Sequence, residues 1–259
     1  MFSDPLAVPI LGLPETELRA RDADRRMRLF IAARQRYAED VLADAVARGV
    51  DQLVVLGAGL DTFGYRNPYA GLRVVELDHP ATQAWKRERL EAASIAVPPS
   101  LTHAAIDFER DDLGTVLGEH VDTERPVLFW WLGVTPYLTL EAITTTLTTL
   151  GSLCHSAVVL DHGAPNPDAT PEARAWLEAR RDRVASLGEP WITQLAPEDL
   201  ARLLTECGFE HTHLEDEVAL IRRLLGAPPA PERRVTHLAL ATTAWPTRPK
   251  GEGAPMVRT

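Results

Sequence analysis

VVLGAGLDTFGYR, residues 54–66, runs three apolar residues into Gly57-Ala58-Gly59 and then brings Asp61 and Thr62 to the start of what reads as a helix. An apolar strand emptying into a Gly-x-Gly turn is how a doubly wound α/β sheet presents backbone to a ligand, because residues without side chains allow a sharp turn and close approach. A dinucleotide fingerprint would carry a third glycine where Thr62 stands. Asp61, expected in the first helical turn, would repel a pyrophosphate at close range. The loop therefore predicts a ligand that lacks phosphate and tolerates or carries positive charge.

Outward from this loop the pattern repeats. QLVVLGA, LRVVELD, SLTHAAI, PVLFWWL and SAVVLDHG read as strands, and QAWKRERLEAA, DDLGTVLGEH and LEAITTTLTTLGSL between them read as helices. The strands are apolar throughout rather than at alternate positions, as a parallel sheet covered on both faces requires. The fold class is α/β, a doubly wound and mostly parallel sheet. Beyond Pro165 come helices at EARAWLEARRDRVASL, PEDLARLLTECGF and EVALIRRLL, with strands EHTHLE and RVTHLALATT, an ending that predicts an antiparallel edge.

Ahead of the loop, residues 15–48 contain no glycine or proline, and Met27, Ile31, Arg34, Ala38, Val41 and Ala45 recur at helical spacing. One long helix is expected. Arg34 within its apolar stripe needs an anion, either Asp40 or Glu39 or a bound ligand. The expected organisation is one domain, 1–259: an N-terminal helical segment (1–49), a cofactor-binding half (50–163), a substrate cap that also completes the sheet (164–245) and a loose tail (246–259). The start through Pro14 also reads as loose.

Composition narrows the partners. The 259 residues carry 27 lysines and arginines against 37 acids, a net charge of −10, which repels nucleic acid and anionic membrane surfaces. Cys154 and Cys207 form no Cys-x-x-Cys pair, so neither a disulfide framework nor a cysteine metal site is expected. No apolar run approaches the ~20 residues needed to cross a bilayer, and no signal-like start is present. The expected location is cytoplasmic.

Ligands in such sheets sit beyond the carboxyl ends of the strands. Asp78 ends the second strand, 21 residues after Gly57, where an acid accepts from ribose hydroxyls. Asp107 and Phe108 end the third, an acid for an exocyclic amine beside an apolar face for a ring. S-adenosyl-L-methionine combines adenosine without phosphate, a cationic sulfur and a carboxylate that would meet Arg34.

LGAGLDTFGYR, VVELDHP, the IDF of residues 106–108 and FWWLGVTPYLT together resemble bacterial S-adenosylmethionine-dependent methyltransferases related to the leucine carboxyl methyltransferases, a group rich in actinobacterial members. The resemblance runs from IAARQRYAED through GEPW to HLALAT. It implies a Rossmann-like class I methyltransferase fold of seven strands, with helices at the N-terminus and after the fifth strand covering the substrate. Carried over by position, Arg34 would hold the methionine carboxylate, Gly57, Ala58 and Gly59 would pass close to the methionine part, Asp78 would bind ribose, and Asp107 with Phe108 would bind adenine. In one place the chain departs: protein leucine carboxyl methyltransferases have a glutamate at the end of the fourth strand, where this chain aligns Leu132 before Gly133 and Tyr137. A small-molecule acceptor, a carboxylate or a phenol in secondary metabolism, is therefore expected ahead of a protein C-terminus.

Two other functional classes stay open at this level, an NAD(P)-dependent oxidoreductase and a noncatalytic S-adenosylmethionine-binding module. No catalytic residue is assigned. A carboxylate nucleophile, with a pKa of about 4, needs no general base, whereas a phenol near ~10 would benefit from one. His162 and His79 are the base candidates by position. Tyr137 and Trp191 are candidates for the acceptor pocket, and Trp130 and Trp131 for core and pocket wall respectively, since adjacent strand residues face opposite ways. His211 and His213 read as a surface pair, and the acids at 215–217 as a solvated turn.

Overall fold

The computed structural model describes residues 3–21, 25–167, 169–186, 188–226 and 236–246. Seven strands form one sheet: β1 (Gln52–Leu56), β2 (Arg73–Asp78), β3 (Leu101–Ala105), β4 (Val127–Trp131), β5 (Ser156–Gly163), β6 (His211–Asp216) and β7 (Thr236–Thr242). Their order is β3-β2-β1-β4-β5-β7-β6. β1 pairs in parallel with both β2 and β4, so the order reverses at β1 and opens a crevice at the carboxyl ends of β1 and β4. This is the class I methyltransferase arrangement expected from the sequence.

The antiparallel member is placed differently from the expectation. β7 runs antiparallel to both β5 and β6, so the antiparallel strand is enclosed and the edge strand β6 points the same way as β5. Burial explains this: β7 buries Leu238, Ala239 and Ala241 and exposes none of its residues, whereas His211, Thr212 and His213 of β6 are exposed and suit an edge. Arg234 and Val235, taken as the start of this last strand, and the tail beyond residue 246 lie outside the described residues.

Two apolar layers sandwich the sheet. Val54, Leu56, Phe129, Trp131, Val158 and Leu160 pack on one face against α6 (Leu113–His120), α7 (Leu140–Gly151) and α9 (Pro197–Glu206). Leu53, Val55, Leu128, Trp130 and Val159 pack on the other against α3 (Arg25–Ala47), the short α4 (Phe63–Arg66) and α10 (Glu217–Leu225). Trp130 and Trp131 do face opposite ways, yet both are wholly buried; Trp131 is core against Phe108 rather than pocket wall.

Residues 15–48, expected as one long helix, are helical on both sides of residues 22–24, which lie outside the described residues, and a further short helix precedes them. α1 (Ala7–Leu11) occupies the start that read as loose, and α2 (Glu15–Arg21) precedes α3. α1 ends at Gly12 in the left-handed conformation, φ +65°, and the Leu11 carbonyl accepts from Arg89 of α5 (Pro80–Ala92), which ties this start to the body. After β5 comes α8 (Pro171–Ser186). The acids at 215–217 are structural rather than solvated: Glu215 forms a two-pronged pair with Arg223, Asp216 caps α10 at Ala219 N–H, and Glu217 is buried. Among the described residues no helix is long and apolar enough to cross a membrane.

Candidate functional site

At the crevice, Gly57 and Gly59 adopt φ of +66° and +49°, backbone that a side chain would strain. Their N–H groups close the turn onto β2, with Gly57 N–H donating to Leu77 O at 2.7 Å and Gly59 N–H to Asp78 Oδ2 at 2.5 Å. A methyl group on Gly57 would overlap Val134, which pins the loop against the end of β4. Gly59 faces open space. Asp78 Oδ1 also accepts from His79 N–H at 2.7 Å. Burial pushes the Asp78 carboxyl up, against the pull of those two backbone donors.

Asp61 is not in a helical turn. It precedes the four-residue α4, and its carboxylate accepts from Phe63 N–H at 2.7 Å. The case against a phosphate at this loop therefore rests on the carboxylate alone, because so short a helix carries little dipole.

Arg34 finds neither Asp40, which pairs with Arg36, nor Glu39, which pairs with Arg66. Its partner is Asp161, at the end of β5, with Nη1 2.9 Å from Oδ2. The other Asp161 oxygen accepts from Gly133 N–H at 2.5 Å, and the Asp161 carbonyl accepts from Thr135 Oγ1 at 2.7 Å. Gly133 has φ +76°, and a Cβ there would come within 2.9 Å of Arg34 Nη1. One buried carboxylate thus joins α3, the turn after β4 and the end of β5. Arg34 Nε is buried without a hydrogen-bond partner.

Arg34, Gly133 and Asp161 line a cavity of about 250 Å³ together with Phe30, Tyr137 and Trp191. Trp191 is held there by the segment 191–195: Ile192 N–H donates to Pro136 O at 2.6 Å, Thr193 Oγ1 to Leu138 O at 2.6 Å, and Leu195 N–H to Gly163 O at 3.0 Å. Arg180 of α8 also reaches the cavity. Ala58, Gly59 and Asp78 line a second, narrow cleft with no room for a water molecule.

Asp107 and Phe108 stand apart from both cavities. Asp107 accepts from Glu109 N–H at 3.0 Å and from Arg110, and Phe108 leans on Trp131. The base candidates are also engaged elsewhere. His79 caps α5 through Nδ1, which accepts from Ala81 N–H at 3.2 Å. His162 is buried, stacks on His237 with centroids 5.5 Å apart, and has both ring nitrogens without hydrogen-bond partners; burial first, and then His237, holds its pKa down to about 4. Next to Asp161 on β5, it points away from the cavity that Asp161 lines.

Sequence reasoning missed Asp161, although VVLDHG repeats the acid-at-strand-end signal of VVELD. It also missed a buried polar cluster beneath the loop, where Lys86 Nζ lies 2.6 Å from Glu76 Oε2 and donates to Asp61 O at 2.7 Å. Glu76 inside an apolar strand was the visible sign.

The sequence model for leucine carboxyl methyltransferase matches residues 2–151, more than half of the chain. The chain belongs to the leucine carboxyl methyltransferase family. A Bacillus subtilis relative bearing the provisional name S-adenosyl-L-methionine-dependent methyltransferase YktD is 31% identical over 191 residues, covering 71% of this chain and 63% of its own length. A Mycobacterium avium relative, provisionally given the same activity, is 36% identical over 194 residues, 65% of this chain and 62% of its own. The chain thus spans about three fifths of the length of these relatives. Among solved structures, human N-acetylserotonin methyltransferase in complex with SAM shares the fold at a TM-score of 0.51 and 14% identity, over 90% of this chain and 61% of its own. A Streptomyces avermitilis protein of the DUF574 family shares it at a TM-score of 0.55 and 17% identity, over 84% of this chain and 83% of its own.

Proposed function

We propose that this family member transfers a methyl group from S-adenosyl-L-methionine to an oxygen of a small acceptor, foremost a carboxylate. The observation that carries the reading is the Arg34–Asp161–Gly133 junction, which brings Arg34 into the wall of an aromatic-lined cavity beside Val134, the residue that the glycine turn packs against. The donor fits the residues present: Arg34 Nε is buried and unpartnered, each Asp78 oxygen keeps acceptor capacity beyond its one backbone donor, and Gly59 opens onto free space. Arg34 would hold the methionine carboxylate beside Gly57, Ala58 and Gly59, Asp78 the ribose, and Asp107 with Phe108 the adenine.

The bound donor supplies an electrophilic methyl on a cationic sulfur, which an in-line nucleophile can take without metal or covalent intermediate. This chain's own contribution is alignment and exclusion of water. Trp191, Tyr137 and Phe30 give the cavity an apolar wall for the acceptor. Among the described lining residues there is no imidazole, and Asp161, the one carboxylate, is ion-paired with Arg34. A phenol would lack a base there; a carboxylate arrives ionised, at a pKa of about 4, and is favoured by the positive charge of Arg180 at the cavity. In this reading residues 50–163 carry the donor and 164–245 cap the acceptor, within a cytoplasmic protein.

Thermal unfolding with S-adenosylhomocysteine and with NAD checks the cofactor: a raised midpoint with the first alone supports the reading, and a response to NAD alone would overturn it. Labelled methyl transfer to matched carboxylates and phenols then checks the chemistry. Product with carboxylates is expected; binding without any turnover would mean a noncatalytic module.

A further inference from the structure

Beneath the glycine loop lies the most heavily buried ion pair among the described residues, and the proposed chemistry does not use it. Lys86, on α5, is 2% exposed, and Glu76, in mid β2, is 1% exposed. The ammonium has three donor directions, and each is accounted for: Glu76 Oε2 at 2.6 Å, Asp61 O at 2.7 Å, and the Tyr65 ring face with its centroid 5.2 Å away. Tyr65 OH in turn meets His103 Nε2 at 2.8 Å, and His103 Nε2 lies 3.5 Å from Glu76 Oε2. One turn earlier on α5, Gln83 donates to the carbonyls of Glu76 and Ala104, so the helix is locked to β2 and β3 at the same level.

A buried ion pair is weak evidence for stability, since an apolar pair of similar volume commonly does as well, but it does fix direction. Here the direction is toward a backbone carbonyl of the loop. The other attachments of residues 57–61 are Gly57 and Ala58 N–H to Leu77 O, Gly59 N–H to Asp78, Asp61 N–H to Ala58 O, and the Asp61 carboxylate accepting from Phe63 N–H two residues on. Lys86 is what ties the far end to α5 and β2.

We propose that Lys86 is a positioning residue for the methyl donor, acting through the Asp61 carbonyl to keep Gly59 N–H on Asp78 and so to fix the carboxylate that receives the ribose. This rests on the reading of residues 57–61 and Asp78 as the donor site. Lys86 touches no ligand itself; its ammonium sets the path of the turn, and the turn orients Asp78. Burial raises the Glu76 carboxyl to about 7 even with the ammonium beside it.

The test compares wild type, Glu76→Gln and the double variant Lys86→Met/Glu76→Gln, the last chosen because Lys86→Met alone would strand a buried carboxylate. Calorimetric affinity for S-adenosylhomocysteine and cofactor KM against kcat are the readouts, with far-ultraviolet circular dichroism to confirm folding. Glu76→Gln keeps the Lys86 bond to Asp61 and should stay within about threefold of wild type, while the double variant should lose about tenfold in affinity and in KM, with kcat at saturating donor little changed. Equal affinity in all three proteins would overturn the proposal, as would an equal loss in Glu76→Gln and the double variant. A double variant that fails to fold beside a folded Glu76→Gln would also overturn it, since Lys86 would then be structural. A wild-type protein that binds no S-adenosylhomocysteine would instead overturn the donor reading itself, and is distinguished by the first measurement.

Discussion

The two sides of the site are assembled over very different spans of chain. Gly57, Ala58, Gly59 and Asp78 come from one short stretch of chain, the turn after β1 and the end of β2 with only α4 between, and are held mostly by backbone donors and one carboxylate. The cavity with Arg34, Tyr137, Asp161, Arg180 and Trp191 draws on α3, the turn after β4, the end of β5, α8 and the segment behind it. The first side is local geometry and can be read from spacing. In the second, one buried carboxylate, Asp161, ties α3 to the turn after β4 and the end of β5, so a single side chain there should matter more than any single residue of the loop.

The largest effect should therefore come from Asp161→Ala, which strands Arg34 and Gly133 N–H together. A loss of about 3 kcal/mol in unfolding free energy is expected, near the lower end for a broken buried pair because Arg34 keeps some solvent contact. Urea unfolding measures it; wild-type stability would show that the cavity side has another organiser.

Acid should next separate the two sides. His162, held down to about 4 from 6.5, is neutral in the fold where the unfolded chain is protonated. Its contribution, about 3 kcal/mol, is present above pH 6.5 and lost as pH falls through 4. Glu76, raised from 4.5 to about 7, has the opposite sign: its contribution is present below 4.5 and lost as pH rises through 7. Stability against pH for His162→Asn should lose the acid limb and Glu76→Gln the neutral one. Profiles superimposable on wild type would reject both environments.

Gly57→Ala should cost about 2 kcal/mol, from the positive φ and the overlap with Val134, and should weaken S-adenosylhomocysteine binding with it. Asp78→Ala should weaken that binding about tenfold while leaving the thermal midpoint within a few degrees. Unchanged calorimetric affinity would remove Asp78 from the ribose role. The smallest effect sharpens the comparison most: Trp191→Ala should raise acceptor KM by about fivefold and leave S-adenosylhomocysteine affinity as in wild type. A loss of cofactor affinity instead would mean that Trp191 belongs to the donor side.

Much of the fold was legible because apolar strands, glycine turns and acid strand ends are short-range signals. VVLGAGLD and VVELD located β1, its turn and β2 to within a residue or two, since each pattern is set by neighbours in the chain. Helix α1 was not legible, because Pro5, Pro9 and Pro14 gave the first fourteen residues the pattern of a loose start. The short α4 shifted Asp61 out of the helical turn that the spacing predicted, and that shift turned an argument about a helix dipole into one about a single carboxylate.

By itself the sequence determined the parallel part of the sheet, its glycine turn and the family, all consequences of local pattern and motif order. Only the tertiary structure decided what Arg34 meets. Its stripe position demanded an anion, and Glu39 and Asp40 were the acids near at hand along the chain, yet Asp161 lies 127 residues away and wins. A buried carboxylate also holding Gly133 N–H is a fixed partner for a guanidinium, whereas Glu39 and Asp40 already serve Arg66 and Arg36. Which charges pair across a core depends on which elements the sheet order brings together, and linear spacing carries no record of that.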